Sequence, residues 1–310
     1  MTRFLPYTAS TLSHEVNWLY LGLLIIAFCV LLLVVGMMAT FCVRYRRASA
    51  TVRGGPVKSF RFEIAWTSAT FLGFIGLFFW GAFVYLDART PPRDAVPIYV
   101  LGKQWMWKVE HPGGQSEINT LHVPIGRPIR LVLASQDVIH DFFVPAFRVK
   151  YDVVPGRYED LWFEAITVGR YPFFCSQLCG TFHADMRGWV VTMEPADFAK
   201  WLAAQGPSES LALQGKALFH QYGCSGCHEP RSTIHAPLLA GLYGRPVALQ
   251  GGGFIIADEA YIRDQILMNK HIPAGYPPKM PHFAGHISEE DVLKLIAYIK
   301  SLASAPGSAR

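Results

Sequence analysis

The chain has 310 residues, 51% of them hydrophobic and 16% charged, with a formal net charge of +5. A charged fraction well below the usual quarter points to a membrane, and the length fits two or three compact units. The mild positive charge gives no reason to expect nucleic acid as a partner, because the basic residues cluster where a membrane explains them better.

Residues 18–43 and 64–86 carry no charge. At about 1.5 Å per residue, each run is long enough to cross a hydrocarbon core of about 30 Å with some tilt, in contact with membrane lipid. The first run is too long for a cleavable signal, and no small-residue cleavage site separates it from the second. Between them stand Arg44, Arg46, Arg47, Arg53, Lys58 and Arg61 against a single acid, Glu63. The positive-inside rule predicts that this connection is cytoplasmic, with both termini on the opposite face.

Residues 87–97 hold three prolines and mixed charges and read as the exit from the membrane. From 98 to 194 short apolar runs (129–133, 161–163, 189–191) alternate with turn signals such as His111-Pro112-Gly113-Gly114 and Val154-Pro155-Gly156. That spacing predicts a β-sandwich or barrel of about 100 residues. Residues 205–210 read as a polar linker. Helices are expected over 211–222 and 261–269, and a third opens at Ser288-Glu289-Glu290-Asp291 as a near capping box and runs through Ile299. No internal repeat is present, and 304–310 reads as a frayed tail.

Of six cysteines, Cys29 and Cys42 lie in the first apolar run, where a thiol is a small apolar filler. The others form two close pairs. In an exported domain paired cysteines are disulfides by default, but the neighbours of each pair argue for metal chemistry. Cys175, Cys179, His183 and Met186 place two thiols, an imidazole and a thioether within one short segment. Such soft and borderline donors select copper over hard cations. A mononuclear blue-copper site needs only one Cys, so the second thiol allows two sulfurs to bridge two copper ions. Zinc is the alternative chemistry, although thioether is a poor zinc ligand and the spacing is unlike a zinc finger. A second imidazole has to come from elsewhere, and His140 is the best candidate.

Cys224-Ser225-Gly226-Cys227-His228 is the Cys-x-x-Cys-His signature of covalent haem c attachment, with His228 as the proximal ligand. A thioredoxin-like pair is the rival reading, but no βαβ pattern surrounds the motif. The sixth ligand should be a later Met, since Met/His ligation raises the potential of a cytochrome c. Met268 falls on the apolar stripe of an expected helix. Met280 lies in Tyr276-Pro277-Pro278-Lys279-Met280-Pro281, a rigid irregular loop able to present a side chain to iron, and is the preferred ligand.

Residues 98–193 resemble the dinuclear-copper (CuA) domain of cytochrome c oxidase subunit II. The resemblance rests on Gly102-Lys103-Gln104-Trp105-Met106-Trp107, the segment 137–145 around His140, the segment 150–157, and the Cys175-to-Met186 loop. It implies a cupredoxin-like all-β domain in which Cys175 and Cys179 bridge the coppers. His140, His183 and Met186 would then be terminal ligands, and the backbone carbonyl of Gln177 would complete the set. Many family members carry Glu at the Gln177 position, where it helps bind magnesium near subunit I. The uncharged side chain here leaves that magnesium site in doubt. Trp105 matches the aromatic residue through which the family takes electrons from cytochrome c. Glu63, before Trp66-Thr67, matches the acid at the cytoplasmic mouth of a proton channel, although Ser68-Ala69-Thr70 replaces the proline that commonly follows. Segments 237–244 and 258–263 resemble the cytochrome extension of caa3-type subunit II, which implies an all-α class I cytochrome c domain.

The expected organisation is a transmembrane helical hairpin with its N-terminal segment over 1–92, a CuA domain over 93–200, a linker over 201–210 and a cytochrome c domain over 211–310. The resemblance implies an oxidoreductase subunit of a bacterial plasma-membrane oxidase, with both termini and the metal domains on the periplasmic face. Electrons would pass from cytochrome c or a bc-type complex through haem c and CuA to subunit I. The chain carries no histidines in its apolar runs, so oxygen reduction falls to that partner, alongside other oxidase subunits. The alternatives are the copper subunit of a related nitric oxide reductase, or a stand-alone membrane-anchored electron carrier.

Overall fold

The structure, a computed structural model, describes residues 7–47, 59–205 and 210–303. Two long helices open it. α1 (Thr11–Arg44) begins at a reciprocal cap, in which the Ser13 amide donates to Ser10 Oγ and the Ser10 amide to Ser13 Oγ, both at 3.1 Å. α2 (Phe60–Arg89) is capped by Ser59, whose hydroxyl accepts from the Phe62 amide at 3.4 Å. Both outrun the uncharged segments because the caps, not the last apolar residues, set the ends. Their side chains are apolar all round and exposed in the isolated chain, the pattern of helices meant for lipid. They meet at Gly22, where an added Cβ would lie 2.8 Å from the Trp80 ring.

The start of α1 and the end of α2 are fastened to the same body. The Ala9 amide donates to the Ala146 carbonyl at 3.1 Å, and Ser10 Oγ to the Phe147 carbonyl at 2.9 Å. Trp162 Nε1 donates to the Asp87 carbonyl at 2.9 Å, and Arg89 lies 4.0 Å over the Tyr151 ring. The end of α1 at Arg44 and the start of α2 at Phe60 therefore lie away from that body. Two basic residues of the connection between the helices, Arg53 and Lys58, are outside the described residues.

That body is a sandwich of ten strands: β1 (Val96–Lys103), β2 (Met106–Glu110), β3 (Ser116–Ile118), β4 (Thr120–Pro124), β5 (Pro128–Ser135), β6 (His140–Val144), β7 (Val149–Val153), β8 (Glu159–Glu164), β9 (Gly169–Cys175) and β10 (Arg187–Met193). One sheet has the order β3-β2-β1-β5-β8 and the other β4-β10-β9-β6-β7, with β1/β5 and β4/β10 parallel and the remaining pairs antiparallel. Alternate residues turn inward along the strands. Trp107, Phe142 and Phe173 meet in the centre with ring centroids 4.7 to 6.4 Å apart. Three loops, between β1 and β2, β5 and β6, and β9 and β10, gather at one end.

α3 (Pro195–Ala204) follows β10 and continues past the boundary expected at residue 200. It packs Trp201 on His122 in a stack 4.4 Å between centroids. Glu117 joins His122 Nδ1 at 2.5 Å and His111 Nε2 at 2.9 Å. Burial alone would raise the Glu117 carboxyl, but these hydrogen bonds outweigh it and bring it down to about 2.

The C-terminal unit holds α4 (Leu211–Gln221), the single turn α5 (Ser225–His228), a small hairpin of β11 (Pro246–Ala248) and β12 (Phe254–Ile256), α6 (Glu259–Met268) and α7 (Glu289–Ala303). α6 begins before the apolar periodicity does, because Asp258 caps it by accepting from the Tyr261 amide at 2.8 Å. α4 crosses α7 at Gly215, where a Cβ would lie 1.9 Å from the Lys294 carbonyl oxygen. No side chain fits there. Gly215→Val should destabilise this unit by at least about 3 kcal/mol, read as thermal loss of helical circular dichroism. An unshifted melt would contradict the close crossing.

Candidate copper and haem sites

Three elements bring the sulfur ligands and imidazoles together. β6 opens with His140, β9 ends with Cys175, and the turn to β10 carries Gln177, Cys179, His183 and Met186. Cys175 Sγ lies 3.8 Å from Cys179 Sγ, 4.0 Å from His140 Nδ1 and 3.2 Å from the Gln177 carbonyl oxygen. Cys179 Sγ lies 3.5 Å from His183 Nδ1 and 3.7 Å from Met186 Sδ. All six residues expected to hold copper thus form one cluster. His140, Cys175, Cys179 and Met186 are buried, and His183 is half-buried. The thiols are free, so the disulfide default does not apply.

The supporting groups were not legible in the sequence. Asp137 accepts from His140 Nε2 at 2.8 Å, which commits that nitrogen as a donor and leaves Nδ1 toward Cys175. The Gln104 amide donates to Asp137 at 2.7 Å, and Gln104 Nε2 donates to the Cys179 carbonyl at 2.7 Å. Burial pushes both thiols up, but at Cys175 the hydrogen bonds from His140 and the backbone reverse the shift. At Cys179 the neighbouring Cys175 adds to it. A bound cation would favour both thiols losing their protons. Two sulfurs flanked by two imidazoles, a thioether and a carbonyl fit soft metal, and the thioether argues for copper over zinc. Trp105 stands beside this loop, edge-on to Phe182 at 4.8 Å, with its Nε1 buried and unpartnered.

The second site is a cleft of about 830 Å³, counting its open mouth. Cys224, Cys227, His228 and Met280 line it, with Pro237 and Phe283 among the apolar walls. His228 Nδ1 donates to the Pro237 carbonyl at 2.8 Å, the arrangement that fixes a ring and frees its other nitrogen for a metal. Met268 does not line the cleft and is 43% exposed. His235, exposed at the rim of the cleft, stacks on Tyr276 at 4.8 Å. Glu63 is remote from both sites, in the first turn of α2.

Three family models match the chain in succession. Residues 1–78 match the transmembrane domain of cytochrome c oxidase subunit II, residues 115–193 its periplasmic domain, and residues 212–303 cytochrome c. The chain belongs to the cytochrome c oxidase subunit II family. It carries a cytochrome c domain fused to the C-terminal side of the subunit II domains. Cytochrome c oxidase subunit 2 of Alkalihalophilus pseudofirmus is 32% identical over 238 residues, 72% of this chain and 66% of that protein. Alternative cytochrome c oxidase subunit 2 of Bradyrhizobium diazoefficiens is 33% identical over 178 residues, 47% of this chain and 62% of that protein. The chain thus spans just under two thirds of either relative. Among solved structures, the periplasmic domain of subunit II of cytochrome oxidase from Bradyrhizobium japonicum matches with 33% identity and a TM-score of 0.36, covering 37% of this chain and 96% of that one. As a subunit II chain this is a membrane protein with a periplasmic domain, and its fold joins two apolar helices, a cupredoxin-like sandwich and a cytochrome c unit.

Proposed function

We propose that this chain is the electron-accepting subunit of a proton-pumping terminal oxidase, receiving electrons singly from cytochrome c or a bc-type complex and delivering them to a catalytic subunit I that reduces oxygen to water. When bound, haem c and dinuclear copper supply two one-electron carriers in series. The single observation that carries the reading is the presence, in one folded chain, of both a cluster of six donor residues around two thiols and a Cys-Cys-His-Met cleft.

The residues divide the work. Cys224 and Cys227 would anchor the haem by thioether bonds, and His228, through the nitrogen that Pro237 leaves free, and Met280 would hold its iron. Cys175, Cys179, His140, His183, Met186 and the Gln177 carbonyl would hold the two coppers, the two thiolates being the donors common to the whole cluster. Asp137 and Gln104 hold the cluster's loops together, and burial keeps water from the sulfurs. Trp105, at the cluster's rim, is the residue through which an electron would enter the copper site. Fusing donor to acceptor raises their effective concentration.

The proposed topology places the chain in the bacterial plasma membrane, with both termini and the metal units on the periplasmic side. The attachment of the start of α1 and the end of α2 to one body supports it. Glu63 then sits on the cytoplasmic side, at the mouth of a proton path into subunit I. In the assembled oxidase, Glu63→Gln should slow turnover severalfold, and unchanged proton uptake and oxygen consumption would remove it from the path.

The test of the whole reading is to reduce the haem of the loaded chain by one electron and follow the near-infrared copper band. Bleaching of that band as the haem reoxidises is expected. Fewer than two coppers in properly assembled protein, or no exchange between the centres, would refute the relay.

A further inference from the structure

The cytochrome unit meets the sandwich on the outer face of the β3-β2-β1-β5-β8 sheet. An apolar seam joins Tyr99 and Val132 to Leu211 and Leu293. Apolar contact is non-directional and leaves such a seam free to slide. Two charged contacts at different points along α6 remove that freedom. At its start, the buried Glu259 accepts from Arg130 at 3.2 Å and from Lys300 at 2.8 Å. One turn on is Arg263, only 5% exposed. It donates to both carboxylate oxygens of Glu289 and, from Nη1, to the Gly156 carbonyl at 2.8 Å. Its guanidinium lies 5.6 Å from the centre of the Tyr158 ring.

Arg263 stands between the two sites. Farther along the same helix and its cap, Gln265 and Asn269 line the haem cleft. On the other side, the turn containing Gly156 continues β7, whose last residue Val153 pairs with His140 in the β6–β7 ladder. Pro155 in that turn bridges Ser135, at the end of β5 that leads toward His140.

We propose that Arg263 is the positioning residue that locks the cytochrome unit onto the copper unit in one orientation, through its bond to the Gly156 carbonyl and its contact with the Tyr158 ring, while Glu289 of its own unit holds the guanidinium in place; this rests on the relay reading above. A planar guanidinium can serve carboxylate, carbonyl and aromatic ring at once, which an ammonium cannot do. Because Arg263 is buried, removing the cation leaves the Gly156 carbonyl without this donor and Glu289 with only the Tyr158 hydroxyl at 3.4 Å, and the contact does not re-form around a neutral substitute.

The experiment uses the full chain loaded with haem and copper. Pulsed electron paramagnetic resonance between the oxidised centres reports their separation, and flash photolysis reports the transfer rate. The unaltered chain should show one narrow distance distribution. Arg263→Gln should broaden it and slow the mean transfer rate severalfold, since electron tunnelling weakens steeply with the separation of the two centres. The haem and copper spectra and potentials should stay unchanged, which a general loss of structure would not allow, and Arg263→Lys should not restore the narrow distribution. A narrow distribution with the unaltered rate in Arg263→Gln overturns the proposal. Should Arg263→Gln fail to fold, Glu289→Gln must broaden the distribution, and no change there overturns it equally. A narrow distribution in the unaltered chain without any transfer would instead refute the relay and leave the clamp standing.

Discussion

Replacing Cys179 by Ser should abolish the near-infrared copper band and drop the copper content below two per chain, while the haem spectrum stays intact. Cys179 has this effect because of its position. Its sulfur touches Cys175 at 3.8 Å, His183 at 3.5 Å and Met186 at 3.7 Å, so three other donors converge on it. A hydroxyl is a hard donor that does not ionise at neutral pH, and it cannot replace a bridging thiolate. Substitution at Cys175 would leave Cys179 beside His183 and Met186, whereas substitution at Cys179 separates those two donors from the rest of the cluster. The swap is close in volume but buries a hydroxyl, so the metal-free sandwich should keep its fold and lose no more than about 3 kcal/mol. Cys29→Ser, in the membrane helix and exposed in the isolated chain, serves as the control and should change neither spectrum. A persistent copper band in Cys179→Ser, with two coppers counted, would dismiss the bridging role.

How much of this could be foreseen depends on the distance over which each interaction acts. The Cys175-to-Met186 loop and the Cys224-to-His228 motif are local chemistry, and their spacing alone brings the donors close. His140 is distant in sequence but stands out as an imidazole opening an aromatic strand. Its partner Asp137 does not stand out, nor does Gln104, because their value comes from a β1–β2 loop meeting a β5–β6 loop. The β11–β12 hairpin was missed for a different reason. Its three-residue strands are too short to show alternation, and the run Gly251–Gly253 between them reads only as a loop. Gly252 and Gly253 adopt φ of +88° and +84° there, which turns the chain back. Arg263, Glu259 and Lys300 look in the sequence like the solvated face of amphipathic helices. Their burial at the domain seam is a tertiary fact that periodicity cannot express.

Met280→Ala should lower the midpoint potential of the haem on the order of a few hundred millivolts, within the span that axial ligands command, and should open the iron to external ligands such as carbon monoxide or imidazole. The thioether stabilises the reduced iron, so its loss favours the oxidised form. The loop explains why this methionine is available. Prolines at 277, 278 and 281 stiffen the backbone on both sides, the Lys279 amide donates to the Pro277 carbonyl at 2.8 Å, and Asn269 Nδ2 donates to the Met280 carbonyl at 3.4 Å. That last bond ties the loop to the end of α6, where Asn269 adopts a left-handed conformation with φ 45° and so turns its amide off the helix axis. The side chain then shares the cleft with Cys224 and His228, whereas Met268, on the same helix as Arg263, does not line it. Met268→Ala should therefore leave the potential where it was. A potential unmoved by Met280→Ala but lowered by Met268→Ala would return the sixth position to the helix and require the 276–281 loop to move aside on haem attachment.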